Sequence, residues 1–256
     1  TKARIAEIET DGVEAGWARD RQVAVVPGFQ GLSPDGRTTT LGRGGSDTSA
    51  VAVAAALGAQ CDIYTDVDGV YTTDPRMVPG ARKLDRIAYE EMLELASQGA
   101  KVLQTRSVEF AKKYNVPIHV RSTFSENMGT MVTREDKSME EVAVSGIAYN
   151  KDEAKITIIR VPDTPGIAAK LFGPISDANI NVDMIIQNIS EDGYTDMTFT
   201  VPKGDFKKAM ALVQKTGEEL GAKGVAGDPN ISKVSVIGVG MRSHAGIAST
   251  VFSTFS

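Results

Sequence analysis

Residues Gly42-Arg43-Gly44-Gly45-Ser46-Asp47-Thr48 place three glycines and a serine directly ahead of an Ala/Val-rich stretch that runs to Leu57. No other stretch narrows the possible folds as far. Glycine lets backbone N–H groups approach an anion without a Cβ in the way, and a helix start adds unpaired N–H donors and the positive end of the dipole. Ser46 is the predicted N-cap. Taken alone, the pattern also fits an ordinary turn into a capped helix. Further along, Cys61-Asp62-Ile63-Tyr64-Thr65-Asp66 reads as a short strand, and Val67 to Arg76 as a polar loop. Glycine loop, buried helix, strand and polar loop follow one another as in an open α/β sheet, where ligands sit beyond the carboxyl ends of strands. Both polar loops are therefore predicted to face one crevice. In that crevice Tyr71 has a ring that can cover a purine, Asp74 can accept from ribose or base, and Arg76 can pair with phosphate. The alternative for all three is that of turn formers and solvated charges.

Several chemistries are excluded. A P-loop needs lysine after its glycines, and Gly45-Ser46-Asp47 has none; Asp47 also stands where the dinucleotide fingerprint requires its third glycine. Asp66 and Asp68 suggest a calcium loop, but the glycine falls too early and Met77 occupies the place of the bidentate Glu. A net charge of −5, with no basic stretch interleaved with aromatics, argues against nucleic acid as a partner. One cysteine and two histidines make a zinc site improbable, so no protein-held metal is expected and Cys61 is read as a buried strand residue. The longest apolar run, Ala50 to Leu57, is too short to span a bilayer, and no signal-peptide core is found. No membrane partner and a cytoplasmic location are expected.

Periodicity extends the α/β reading. Val23 to Val26 is a predicted strand, followed by a helix from Asp47 to Leu57 and a strand from Cys61 to Thr65. Tyr89, Met92, Leu93 and Ala96 form one buried helix face ending before Gly99. A helix near Ser107 to Tyr114 stops at Asn115-Val116-Pro117, Ile118 to Val120 is the next strand, and the polar segment Ser125 to Glu141 is predicted as a linker. His119 is read as structural.

The second half contains a repeat. Gly166-Ile167-Ala168-Ala169-Lys170-Leu171-Phe172 is echoed by Gly246-Ile247-Ala248-Ser249-Thr250-Val251-Phe252, and the strands before them, Ile156 to Val161 and Val234 to Val239, also correspond. In the first copy Pro165 suits the N1 position of a helix whose face is Ile167, Leu171 and Ile175. Strands are predicted at Val182 to Ile189 and Thr195 to Val201, the latter with Met197, Phe199 and Val201 alternating against polar neighbours. Phe206, Met210, Val213 and Leu220 give a second amphipathic helix, and a short strand follows near Lys223 to Gly227.

These residues carry a resemblance. The string Thr40 to Thr48, with Tyr64 to Tyr71, Asp74-Pro75-Arg76, Glu90 to Ala96, Gly99 to Leu103, Val120-Arg121-Ser122 and Asp183 to Asn188, resembles the aspartate kinases of the amino acid kinase superfamily. The second half resembles the ACT domain, a small effector-binding module. The resemblance implies an α/β fold: a three-layer amino acid kinase domain over residues 1–145, a ferredoxin-like βαββαβ ACT module over 146–230, and the start of a second ACT module over 231–256. The second module stops in its first helix, and nothing in Thr1 to Gln30 matches the family's Lys-Phe-Gly-Gly motif, so a fragment of a longer chain is expected.

Function is implied in the same way: ATP-dependent phosphorylation of the side-chain carboxylate of L-aspartate, the first step towards lysine, threonine and methionine. Feedback by lysine, threonine or both through the ACT modules is implied too. Arg43 would fork onto a substrate carboxylate, Gly44 and Gly45 would approach substrate and phosphate through backbone N–H groups, and Ser46 would hydrogen-bond the same cluster. Asp47 would orient the substrate amine or the reacting centre, and Lys101 would neutralise the ATP phosphates. Thr65, Asp66, Tyr71, Thr72, Thr73, Asp74, Pro75 and Arg76 would hold the nucleoside and phosphates, with Mg2+ bound through the nucleotide. Effector residues implied are Asp163, Ile180, Asn181, Val182, Asp183, Gln187, Ser190 and Thr198, Asp163 and Asp183 being natural partners for an ammonium group. Assembly into homo- or hetero-oligomers through ACT modules is expected. A kinase of glutamate or acetylglutamate, and a noncatalytic effector-binding subunit, are the alternatives.

Overall fold

A computed structural model describes residues 5–20, 23–42, 44–100, 102–140, 142–189 and 192–256. The chain divides into two compact units: Thr1–Ala148 with Ser235–Ser256, and Tyr149–Val234.

In the first unit α1 (Asp11–Asp20) precedes a small antiparallel hairpin of β1 (Gln30–Leu32) and β2 (Thr38–Thr40). Next come α2 (Gly45–Leu57), β3 (Cys61–Thr65), β4 (Arg86–Ala88), α3 (Tyr89–Ser97), α4 (Thr105–Tyr114), β5 (Ile118–Ser122), β6 (Thr130–Thr133) and α5 (Lys137–Glu140). The sheet order is β3-β5-β6-β4, with β3 parallel to β5, β5 antiparallel to β6, and β6 parallel to β4. Helix α4 packs between α2 and α3. Val51, Met92, Leu95 and Val108 from these helices meet Ile118, Val120 and Val132 of the sheet in one core. The helices end where local chemistry ends them: Gly58 and Asn115 both adopt the left-handed conformation that closes α2 and α4.

Three expectations for this unit are corrected. Helix α2 starts at Gly45 with Gly44 as its N-cap, in place of Ser46. Residues 23–28 form no strand, and Val23 and Val25 are 89% and 91% exposed, because β-propensity needs a hydrogen-bonded neighbour to become a strand. The stretch expected as a linker contains β6, whose Thr130 and Val132 are fully buried between β5 and β4.

The second unit is built from most of β7 (Gly146–Pro162), α6 (Ile167–Asp177), β8 (Ile185–Ile189), β9 (Tyr194–Pro202), α7 (Phe206–Glu219) and most of β10 (Gly224–Ile237). The order β10-β7-β9-β8 is the ferredoxin-like arrangement of a βαββαβ module. Ile156, Ile158, Met197, Phe199 and Val201 of the sheet meet Ile167, Leu171 and Ile175 of α6 and Ala209 and Val213 of α7. Phe172 of α6 and Phe199 of β9 meet edge to face, with centroids 5.2 Å apart. The predicted N1 proline, Pro165, lies outside the helix, since Gly166 at φ 87° is the cap. The separate strands expected near Lys223 to Gly227 and Val234 to Val239 are parts of one strand, β10. Beyond it, α8 (Ile247–Phe255) is capped by Gly246 at φ 89°, so the sequence repeat is also a repeat of cap geometry.

Candidate functional site

The glycine loop and the polar loop come to one end of the first unit's sheet for a topological reason. Helix α2 joins β3 through Gly58–Gln60, so the N-terminus of α2 lies where β3 ends. Helix α4 joins β5 as directly, and β5 is parallel to β3. Two helix N-termini and two strand carboxyl ends therefore share one edge of the unit, the place where open α/β folds hold ligands.

Side chains lock the two helix starts together. The Asp47 carboxylate accepts the Gln104 backbone N–H at 3.3 Å, and Arg106 Nη1 donates to the Leu41 carbonyl at 3.1 Å. The glycines are required by contact as well as by conformation. A Cβ on Gly44, which sits at φ 70°, would lie 2.8 Å from Gln104 Cγ, and one on Gly45 would lie 2.8 Å from Leu41 Cβ. No side chain caps α2, and Ser46 is exposed. Burial pushes the Asp47 carboxyl above its ordinary value, against the opposing pull of the Gln104 N–H. Arg43 and Lys101 lie outside the described residues.

The polar loop leaves β3 at Thr65, whose carbonyl accepts the Thr123 N–H at 2.8 Å and whose hydroxyl donates to Asp66 at 3.2 Å. Asp68, absent from the expected site, organises the turn. Its carboxylate accepts from the Tyr71 hydroxyl at 2.9 Å and from Asn127 Nδ2 at 3.4 Å, with Lys83 Nζ at 3.9 Å. Burial raises the Asp68 pKa, but these partners outweigh it and hold the carboxyl below its usual range. The same bond raises the Tyr71 phenol. Thr72 is paired to Arg82 by its N–H at 2.9 Å and by its hydroxyl, which accepts the Arg82 N–H at 3.1 Å. Arg76 lies 89% exposed in a forked pair with Asp74, at 3.2 and 3.3 Å. Thr73 is half-buried and Pro75 exposed.

Thr130 was also missed by the sequence reading. Its buried hydroxyl accepts the Val70 N–H at 2.8 Å and donates to the Leu84 carbonyl at 2.6 Å, tying both arms of the loop to β6. Only its β-branched character was visible in sequence. Arg121 stacks over Tyr64 at 5.6 Å, placing a cation beside the end of β3. Among the described residues no group of three or more His, Cys, Asp or Glu could hold a metal ion, and no helix is long and apolar enough to cross a membrane.

In the second unit the expected effector residues separate. Gln187 pairs with Met197, which is buried, whereas Thr198 pairs with Ile186 and bonds Thr157 across the strand at 3.0 Å, so Gln187 and Thr198 occupy opposite faces of the sheet. Gln187 Nε2 reaches Asp163 at 3.5 Å. Asp183 lies ahead of the first residue of β8, paired through its N–H with Thr200 and through its carboxylate with Lys233. The two carboxylates expected to share an ammonium thus meet one strand at separate points. Ile180 is a core residue, while Asn181 is exposed and Val182 partly buried. Ser190 lies outside the described residues.

The fold and the joined helix starts define the class. Residues 1–122 match the amino acid kinase family and residues 155–218 match the ACT domain, so an α/β kinase-type domain precedes an effector-type module. Within that class the chain is similar over its whole length to aspartate kinases. It is 58% identical over its whole length to an aspartate kinase of Pseudomonas putida and to an aspartokinase of Pseudomonas aeruginosa. It spans 62% and 63% of those relatives' lengths. Among solved structures it is similar to Escherichia coli aspartokinase III in complex with aspartate and ADP, at 33% identity and a TM-score of 0.71, covering 90% of this chain and 51% of that one.

Proposed function

We propose that the protein takes part in ATP-dependent phosphorylation of the side-chain carboxylate of L-aspartate, in the cytoplasm, under feedback by lysine or threonine. The observation that carries this reading is the bond between Asp47 and the Gln104 N–H, which brings two helix N-termini together beside the ends of β3 and β5. Similarity to aspartate kinases over the whole chain supports it, as does the aspartate and ADP bound by the Escherichia coli relative.

A carboxylate is already nucleophilic at neutral pH, so the chain has no need of a general base. Its task is to align acceptor and phosphate and to stabilise charge on the phosphoryl oxygens. Gly44 and Gly45 offer substrate the backbone at the start of α2, at positions where a Cβ would strike Gln104 or Leu41. Arg43 pairs with the substrate carboxylate, Ser46 hydrogen-bonds the same group, and Asp47, held by Gln104, meets the substrate ammonium. Lys101 offsets phosphate charge. Thr65, Asp66 and the loop from Tyr71 to Arg76 hold the nucleotide; Tyr71, committed through its hydroxyl to Asp68, presents its ring and not its oxygen. Magnesium would be held chiefly through nucleotide oxygens, where it would neutralise phosphate charge.

For regulation, the geometry favours two separate contacts over one cluster: Asp163 with Gln187 in the middle of β8, and Asp183 ahead of its first residue. The paired modules would also carry assembly into oligomers.

The test is hydroxylamine trapping of the acyl phosphate by this chain joined to the remaining segments of the Pseudomonas putida relative. Aspartate should give hydroxamate, and glutamate and N-acetylglutamate should not. Trapping with either of the latter and none with aspartate would reject the reading.

A further inference from the structure

Glu91 is a buried carboxylate, 3% exposed, on the first turn of α3. One oxygen does an ordinary helix-start job: Oε2 accepts the Ala88 N–H at 3.2 Å. The other does something that a cap does not need. Oε1 accepts the Val239 N–H at 3.0 Å and the Ser145 hydroxyl. Ser145 immediately precedes β7 and Val239 follows β10, so Glu91 holds the two points where the chain leaves for the second unit and returns. The points are also bonded to each other, Ser145 N–H donating to the Ile237 carbonyl at 2.8 Å. At the far end of α3, Gln98 Oε1 accepts the Ser235 hydroxyl at 3.2 Å.

The departing strand touches the polar loop at once. Ile147 donates its N–H to the Thr72 carbonyl at 2.7 Å. Gly146 fits between loop and helix because it lacks a side chain: a Cβ there would stand 3.3 Å from the Thr72 carbonyl oxygen and 3.2 Å from Leu95 Cδ2. A buried carboxylate needs its donors. Here they come from segments far apart in sequence, and each is one or two residues from a strand that continues into the second unit.

We propose that Glu91 is a positioning residue that clamps the two crossing points to α3 and, through Ile147, fixes the Thr72 carbonyl, so that movement of β7 or β10 reaches the polar loop. The clamp stands on this geometry; its consequence for nucleotide rests on the reading of residues 65–76 given above.

Amide hydrogen exchange separates the two. In Glu91→Gln, where an NH2 replaces one acceptor, and in Ser145→Ala, which removes a single donor and keeps α3 capped, segments 66–84 and 142–149 should exchange roughly 10-fold faster or more, with segment 185–202 unchanged. Faster exchange confined to the start of α3, or an unchanged 66–84 segment in folded Ser145→Ala, would overturn the proposal. Calorimetry with ADP adds a second readout: binding should weaken about 5- to 10-fold in both variants. If the unaltered chain binds no ADP, the nucleotide reading fails while the exchange result still decides the clamp.

Discussion

The Asp47 carboxylate holds the Gln104 backbone N–H at 3.3 Å, and that bond, with the one from Arg106 to the Leu41 carbonyl, joins the starts of α2 and α4. Burial, its main cost, raises the Asp47 pKa. A carboxyl whose folded pKa is raised favours folding fully only below the unfolded pKa, and that contribution is lost as pH rises through the folded value. Asp47→Asn retains an acceptor for Gln104 without the charge. The variant should therefore gain stability relative to the unaltered chain near pH 7, and the gain should shrink as pH falls into the ordinary carboxylate range. Urea unfolding at a series of pH values checks this, and a difference that is constant with pH would contradict it. Phosphoryl transfer should fall about 100-fold or more in the same variant, because the charge opposing the substrate ammonium is gone.

Gly44 meets two demands at once. Its φ of 70° costs any other residue about 1–2 kcal/mol, and a Cβ would press on Gln104 at 2.8 Å. Gly44→Ala should cost roughly 2–4 kcal/mol in denaturant unfolding. Shortening Gln104 to Ala in that background removes the Cγ contact but leaves the Gln104 Cβ 2.9 Å away, so it should recover only a portion of the steric part and leave the conformational part. Full recovery would mean that contact alone requires glycine.

Thr130 is isosteric with valine, so Thr130→Val removes the hydroxyl and little else. The Val70 N–H and Leu84 carbonyl would each lose this partner, at a cost of about 2–4 kcal/mol. Thr130→Ser should keep most of the stability. The Val variant should also bind ADP more weakly, since both arms of the loop lose their tie to β6. Equal stability of the Val and Ser variants would show that the hydroxyl is dispensable.

Lys233 sits between Asp183 and Glu153, 3.8 Å from Glu153 Oε1, with the Lys233 and Glu153 side chains 9% and 7% exposed. Glu153 Oε2 is buried without a hydrogen-bond partner, so Lys233 offsets a charge that water does not reach. Lys233→Met should destabilise the second unit by about 3 kcal/mol, and adding Glu153→Gln should restore a large part of it. Thermal unfolding of the two variants measures this, and no recovery in the double variant would place the cost in packing.

Local rules carried much of this chain. The 3.6-residue spacing of Tyr89, Met92 and Leu93 marked α3, Asn115 marked the end of α4, and the alternation of Met197, Phe199 and Val201 marked β9. Each signal lies within one or two turns or a few strand residues. The repeat at Gly166 and Gly246 was legible for the same reason, since both copies need a left-handed cap in the same place. What failed was set by neighbours. Val23 to Val26 has strand composition and forms no strand, while Thr130 to Thr133 looked like linker and is buried because β5 and β4 flank it.

The site divides along the same line. The sequence by itself determined the residue types: glycines before α2, a polar loop after β3, and the family these motifs resemble. Only the tertiary structure decided which side chains act together. Asp68 and Thr130 shape the polar loop, Glu91 gathers Ser145 and Val239, and Gln187 and Thr198 fall on opposite faces of their sheet. The physical reason is separation along the chain. A cap or a helix face is fixed by residues within a few positions of one another, whereas a buried carboxylate is satisfied by whatever donors the fold brings to it.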